Sequence, residues 1–275
     1  MPHLDLSGAT SDEHLVKLWL SARPESTIRV YARVAKSFLS RIPGSVKTVT
    51  VADVVAWMDT LGGAPATRAR EVSTVKSLLS FAWRTGYCIY NVGRALRCVR
   101  VPSTLHEKLV EEPVVKHVIS EATLGRDQAF VRFMYASGVR ISEACRLRFI
   151  DIGHGRVTVL GKGTKTRTVM VPQPVLDDLL ALRRPEDDAY AHVFRSYRGR
   201  PLGVRDARDI VYRAAQKAET KLAPHWLRHA HASHSLDGGC PIHVLQQTLG
   251  HANVSTTSKY LHAKPNAGSS QYLKL

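Results

Sequence analysis

The chain has 275 residues, 44% of them hydrophobic, with a mean hydropathy of −0.15. No stretch reaches the roughly 18 continuous apolar residues a membrane helix needs, so a membrane-spanning helical protein is excluded. Lysine and arginine number 39 against 23 aspartate and glutamate, a net charge of +16 and a pI near 10.0. That balance favours a polyanionic partner, nucleic acid before acidic proteins or membrane surfaces, bound less tightly as salt rises.

The length is generous for one core and comfortable for two, so two domains are expected. Cys88, Cys98, Cys145 and Cys240 are scattered with no C-x-x-C pair, which suggests neither a zinc ribbon nor a disulfide framework. The opening "MPHLDLSGATSDEHL" has no basic start and no apolar run. A secretory signal is therefore not expected, and the cytoplasm is the expected compartment.

Residues 1–95 read as a helical bundle. "SDEHLVKLWL" offers Ser11 as a cap and an apolar face from Leu15, Leu18 and Trp19 or Leu20. "STIRVYARVAKSFLSRI" places Ile28, Tyr31, Ala35, Phe38 and Leu39 at helical spacing, with Arg29, Arg33 and Lys36 on other faces. "TVADVVAWMDTL" starts at the cap-like Thr50 and Asp53 and stops at Gly62-Gly63. "APATRAREVSTVKSLLSFAWRTG" runs to Gly86 with Val72, Val75, Leu79 and Ala82 inward. Four helices with short connections make a small bundle. The segment 96–110 is basic, carries a proline and has no clean period, as an interdomain linker would.

Residues 111–264 read as a second, mostly helical domain with one small sheet, followed by a tail, 265–275. "EEPVVKHVISEA" and "DQAFVRFMYASG" are helical. A hairpin fits "GRVTVLGKGTKTRTVMVP", where Val157, Val159, Thr168 and Met170 alternate with their neighbours and "GKGTK" turns. Helices return at "QPVLDDLLALR", "VRDARDIVYRAAQKAE", "HWLRHAHASHSL", "PIHVLQQTLG" and around Tyr260.

Several residues in this domain can carry chemistry. Arg140 follows the helix-ending Ser137-Gly138 at the entry to a helix opened by Ser142, where backbone N–H groups and a guanidinium would make an anion site; a solvated or paired surface arginine is the alternative. Lys162 lies in the glycine-flanked turn, free to approach a phosphate or donate a proton; a plain basic turn is the alternative. His225 and Arg228, three apart, share a helix face. His225 and His229 also have the i, i+4 spacing of a zinc pair, but Trp226 stands where a zincin has Glu and no Cys, Asp or Glu ligand is near. His229, His231 and His234 are accordingly read as core or hydrogen-bonding residues, and no metal is expected. His251 follows Leu249-Gly250, and Tyr260 comes nine residues after it (260 − 251 = 9), beside Lys259 and behind a run of Ser and Thr. Hydrophobicity does not explain a phenol there.

The segments "YASGVRISEACRLRFIDI", "LGKGTKTRTVMVP", "HWLRHAHASH" and "LQQTLGHANVSTTSKYLH" occur in the order and at about the spacings of the tyrosine recombinase, or phage integrase, family, which the chain resembles from about residue 11 to 262. The bundle before the linker is similar to that family's core-binding, DNA-binding domain. Carried onto this sequence, the resemblance implies that Tyr260 attacks a DNA phosphodiester, leaving a 3′ phosphotyrosyl link and a 5′ hydroxyl. Arg140 and Arg228 match the two arginines that clamp the nonbridging oxygens, and Lys162 the lysine that protonates the leaving oxygen. His225 matches the general acid/base, and His251 a second phosphate donor. Glu143 matches an acidic residue of structural role.

The same likeness implies no cofactor and no metal, double-stranded DNA as partner, and a homotetramer that exchanges strands through a Holliday junction. Any accessory protein is left unnamed. A type IB topoisomerase, which reseals the same strand, and a catalytically idle DNA-binding relative are the alternatives. All six expected positions hold competent residues. Tyr190, Tyr197 and Tyr272 lack an "LGH" at the right distance and are read as packing or surface groups. No arm-binding module is expected before the bundle, and residues 271–275 are expected to dock on a neighbouring protomer.

Overall fold

A computed structural model describes residues 4–97, 110–123, 125–161 and 166–250. The chain divides into two compact units, Met1–Pro102 and Ser103–Leu275.

The first unit is helical. Helix α1 (Asp12–Ser21) is capped by the Ser11 hydroxyl, which accepts from the His14 N–H at 3.2 Å. Helix α2 (Glu25–Leu39) follows, and α3 (Val51–Asp59) begins with a full capping box between Thr50 and Asp53. It stops at Asp59, short of the glycine pair. Helix α4 (Pro65–Arg84) has proline at its first position, where a missing N–H costs nothing. Val72, Val75, Leu79 and Ala82 are buried on it, facing Leu15, Trp19, Ala35, Phe38 and Trp57 in one core. Phe38 meets the Trp57 ring edge to face at 5.4 Å. Arg29, Arg33 and Lys36 of α2 stay exposed. A short helix, α5 (Val92–Ala95), packs on α3 and α4, and Leu96 behind it is buried in the same core.

Among its described residues, the second unit has seven α-helices and a three-stranded antiparallel sheet of order β1-β2-β3. The helices are α6 (Glu112–Ser120), α7 (Gly125–Ser137), α8 (Ile141–Cys145), α9 (Gln173–Leu180), α10 (Val204–Lys217), α11 (Pro224–Asp237) and α12 (Ile242–Leu249). The strands are β1 (Ile152–Gly153), β2 (Arg156–Leu160) and β3 (Thr166–Met170). Helix α7 runs through the middle, touching α6, α8, α9, α10 and α11. Its Phe130 and Phe133 pack on Phe194 with centroids 4.9 and 6.0 Å apart.

The register decides which face of the hairpin is buried. Val157 pairs with Val169 and Val159 with Arg167. Residues opposite one another in an antiparallel pair point to the same face. With Val157 and Val159 inward, the inward residues of β3 are therefore Val169 and Arg167, while Thr168 and Met170 face out. An arginine on the buried face of a sheet requires an anion, and it has one.

Candidate active site

The site grows from the turn between α7 and α8. Helix α7 ends at Ser137, and Gly138 takes a left-handed φ of 61° while its N–H closes the helix onto the Met134 carbonyl. A Cβ at this position would stand 2.5 Å from the His231 ring. Only glycine lets α11 approach so closely. Arg140, in extended backbone, caps α8, and its N–H donates to Glu143 Oε2 at 2.8 Å. This contact places the helix start one residue before the expected opener, Ser142. The acid three residues on satisfies the first free N–H and so sets the cap at Arg140.

Glu143 is the hub. Its carboxylate is buried and accepts four hydrogen bonds. Two come from Arg140, from the backbone N–H and from Nη1 at 2.9 Å. Two come from Arg167, from Nη1 to Oε1 at 3.0 Å and from Nη2 to Oε2 at 2.8 Å. Burial alone would raise the carboxyl pKa, but the Arg167 fork, the Arg140 N–H and the two positive charges outweigh it and bring it down to about 2. Glu143 is ionised at every physiological pH. Arg167 uses its third donor, Nε, on the Thr248 carbonyl at the end of α12, at 2.7 Å. Gly250 caps that helix with a φ of 63°, and a Cβ there would press on the Arg167 stem at 3.0 Å.

Arg228, in the second turn of α11, is only 2% exposed. Its Nη1 donates to the Gly138 carbonyl and its Nη2 to the Leu249 carbonyl, each at 2.6 Å. These bonds fix the plane of the guanidinium and tie the Arg140 turn to the end of α12. The charge sits where little water screens it. His225, one turn earlier on the same helix, is exposed, and its ring meets His229 edge to face at 4.3 Å. His231 Nδ1 lies 2.8 Å from the Tyr135 carbonyl, and His234 Nδ1 2.9 Å from the Tyr135 hydroxyl. Both are hydrogen-bonding residues of the helix packing. Burial, with the nearby Arg228 charge, pushes His231 down to about 4.

Arg228 is thus tied to the turn that carries Arg140, Glu143 holds Arg140, and His225 lies one turn before Arg228 on α11. Lys162, His251 and Tyr260 lie outside the described residues, as do the helix expected around Tyr260, Tyr272 and the tail 265–275. By sequence, Lys162 falls between the paired ends of β2 and β3, and His251 directly after Gly250. Tyr190 and Tyr197 are exposed. Among the described residues, no group of three His, Cys, Asp or Glu side chains is placed to hold a metal ion. Arg167 lies in the hairpin segment, where the sequence motifs assign it no role. In "TRTVMV" it shares its period with Val169 and Val171, and pairing with β2 turns that face inward, where a charge needs a partner.

A sequence profile of the phage integrase family matches residues 108–267. This chain belongs to the phage integrase family. Tyrosine recombinase XerC of Mycobacterium bovis is 35% identical over 248 residues, covering 82% of this chain and 83% of the relative. Tyrosine recombinase XerA of Pyrococcus furiosus is 33% identical over 257 residues, covering 90% and 87%. Among solved structures, a lambda integrase dimer bound to a COC′ core site superposes with a TM-score of 0.75 at 16% identity, over 94% of this chain and 78% of that one. XerH recombinase bound to palindromic difH substrate gives 0.74 at 20% identity, over 94% and 83%. At such identities the structures establish the fold: mainly helical, with the small sheet of a tyrosine recombinase catalytic domain. The enzyme class is that of the curated relatives, tyrosine site-specific recombination.

Proposed function

We propose that the chain cleaves and rejoins double-stranded DNA through Tyr260 and exchanges strands between two duplexes, as in integration, excision or chromosome-dimer resolution. The phenol oxygen attacks a backbone phosphorus, forms a 3′ phosphotyrosyl ester and releases a 5′ hydroxyl. A 5′ hydroxyl of the other duplex then reverses the step. One phosphodiester replaces another, so the exchange needs no external energy source.

The observation that carries the reading is the grip of Arg228 on the Arg140 turn. It holds the buried Arg228 guanidinium against the turn that carries Arg140, whose own guanidinium is held by Glu143. Planar, fixed guanidinium groups suit the charge that builds on the nonbridging oxygens of a pentavalent phosphorus. A phenol with an ordinary pKa of about 10 also needs such a field to react as phenolate near neutral pH. His225, exposed on the same helix, serves as the acid/base, Lys162 protonates the leaving oxygen, and His251 adds a donor to the phosphate.

The basic first unit, with Arg29, Arg33 and Lys36 outward on α2, supplies nonspecific grip on the duplex. Four copies assemble on two DNA segments, in the cytoplasm and on the nucleoid. Capture of covalent protein–DNA complexes from a fragment library of the host genome, followed by sequencing of the junctions, tests this directly. One recurrent site with protein on the 3′ end is expected. Relaxation of supercoils with no exchanged product would move the assignment to a type IB topoisomerase.

A further inference from the structure

We propose that Arg167 is a positioning residue that neutralises Glu143, so that Arg140 keeps its full positive charge for the DNA phosphate. The inference rests on the function proposed above and concerns a residue that function does not use. Two guanidinium groups share one carboxylate: Arg167 with 13% of its side chain exposed, Arg140 with 41%, and Glu143 with 4%. The three charges sum to +1. The buried arginine spends both terminal nitrogens on the carboxylate in a fork, the geometry that pairs such charges most strongly. Arg140 gives one side-chain bond to the same anion and leaves the greater part of its charge at the open edge.

Without Arg167 the pair Arg140–Glu143 would be neutral. The anion would pull Arg140 inward, and the phosphate would meet no net charge there. The same guanidinium, through Nε, fixes the Thr248 carbonyl two residues before Gly250, so one side chain sets both the charge of Arg140 and the end of α12. A buried arginine serving only the fold would need a counter-ion but no second arginine upon it. The sharing of Glu143 distinguishes the two roles.

The test is a double-mutant cycle in single-turnover cleavage of a DNA duplex that carries the captured site, with the full-length protein. Arg167→Met should slow covalent-complex formation on the order of tenfold or more, the size of one lost charge contact at a transition state. In a Glu143→Gln background, where no anion needs cancelling, the same substitution should cost less than about threefold. Arg167→Lys, which keeps the charge, should fall between wild type and Arg167→Met. Equal slowing by Arg167→Met in both backgrounds would assign the residue a purely structural role and overturn the inference. If Arg167→Met does not fold, Arg167→Lys introduced into the wild-type and the Glu143→Gln backgrounds carries the same comparison. A smaller cost of Arg167→Lys in the Glu143→Gln background supports charge cancellation, and an equal cost in both contradicts it. Absence of any covalent complex with the wild-type protein would instead count against the proposed function itself.

Discussion

Gly138 is where the packing of α11 on the α7–α8 turn can be tested most sharply. Gly138→Ala has two costs. An L-residue at a φ of 61° carries left-handed strain of about 1–2 kcal/mol. The new Cβ would also meet His231 Cδ2 at 2.5 Å, with Cγ and Nε2 at 3.0 Å. That ring cannot turn aside without breaking its 2.8 Å bond to the Tyr135 carbonyl, so overpacking of about 1–3 kcal/mol adds to the strain. The sum is about 2–5 kcal/mol, or roughly 5–15 °C in the melting temperature of a unit this size. Scanning calorimetry measures it. Repeating the substitution in a His231→Ala background separates the parts: the clash vanishes and only about 1–2 kcal/mol of backbone strain should remain. A cost below about 0.5 kcal/mol, or the same cost in both backgrounds, would refute the reasoning. Because the Gly138 carbonyl is an Arg228 acceptor, cleavage should fall with stability in the single variant.

Acid should unfold the second unit in two overlapping stages. Burial holds His231 at about 4 against an ordinary 6.5, so the unfolded chain takes up the proton first and stability falls as the pH drops from about 6.5 to 4. Glu143, buried yet held at about 2 by Arg167 and Arg140 against 4.5, adds a loss between about 4.5 and 2. Each stage is worth on the order of 3 kcal/mol when complete. Urea unfolding across this range checks it, and a flat profile between pH 6.5 and 4 would contradict the His231 assignment. Arg228→Lys places one ammonium where a planar fork bridges two carbonyls. It should cost about 1.5–3 kcal/mol of stability and about a hundredfold in cleavage; retention of either at the wild-type level would speak against a fixed guanidinium.

Much of this architecture can be read from residue order alone, because the strongest signals are local. The apolar period of "STVKSLLSFAW" gives α4 and its buried face, and Thr50 with Asp53 marks the start of α3 three residues apart. Arg140 and Arg228 stand out by their motifs, and the structure brings both to one turn. Other features depend on distant partners. Nothing near Glu143 in the sequence names Arg167, 24 residues away, as its second cation. The inward face of β3 follows from pairing with β2, which alternation within β3 leaves undecided between Thr168 and Val169. The start of α8 likewise depends on the Glu143 side chain reaching back to the Arg140 N–H, a contact that composition does not reveal.

The central claim is that one phenol forms the bond to DNA. Trypsin cuts after Lys259 but not between Lys264 and Pro265, so it releases "YLHAKPNAGSSQYLK", in which fragmentation separates an adduct on Tyr260 at the amino end from one on Ser269, Ser270 or Tyr272. Mass spectrometry of the covalent complex after nuclease and trypsin digestion should find the nucleotide on Tyr260 of this peptide, and Tyr260→Phe should abolish the adduct while leaving DNA binding intact. A nucleotide on Tyr190 or Tyr197, or an undiminished adduct in Tyr260→Phe, would contradict the claim.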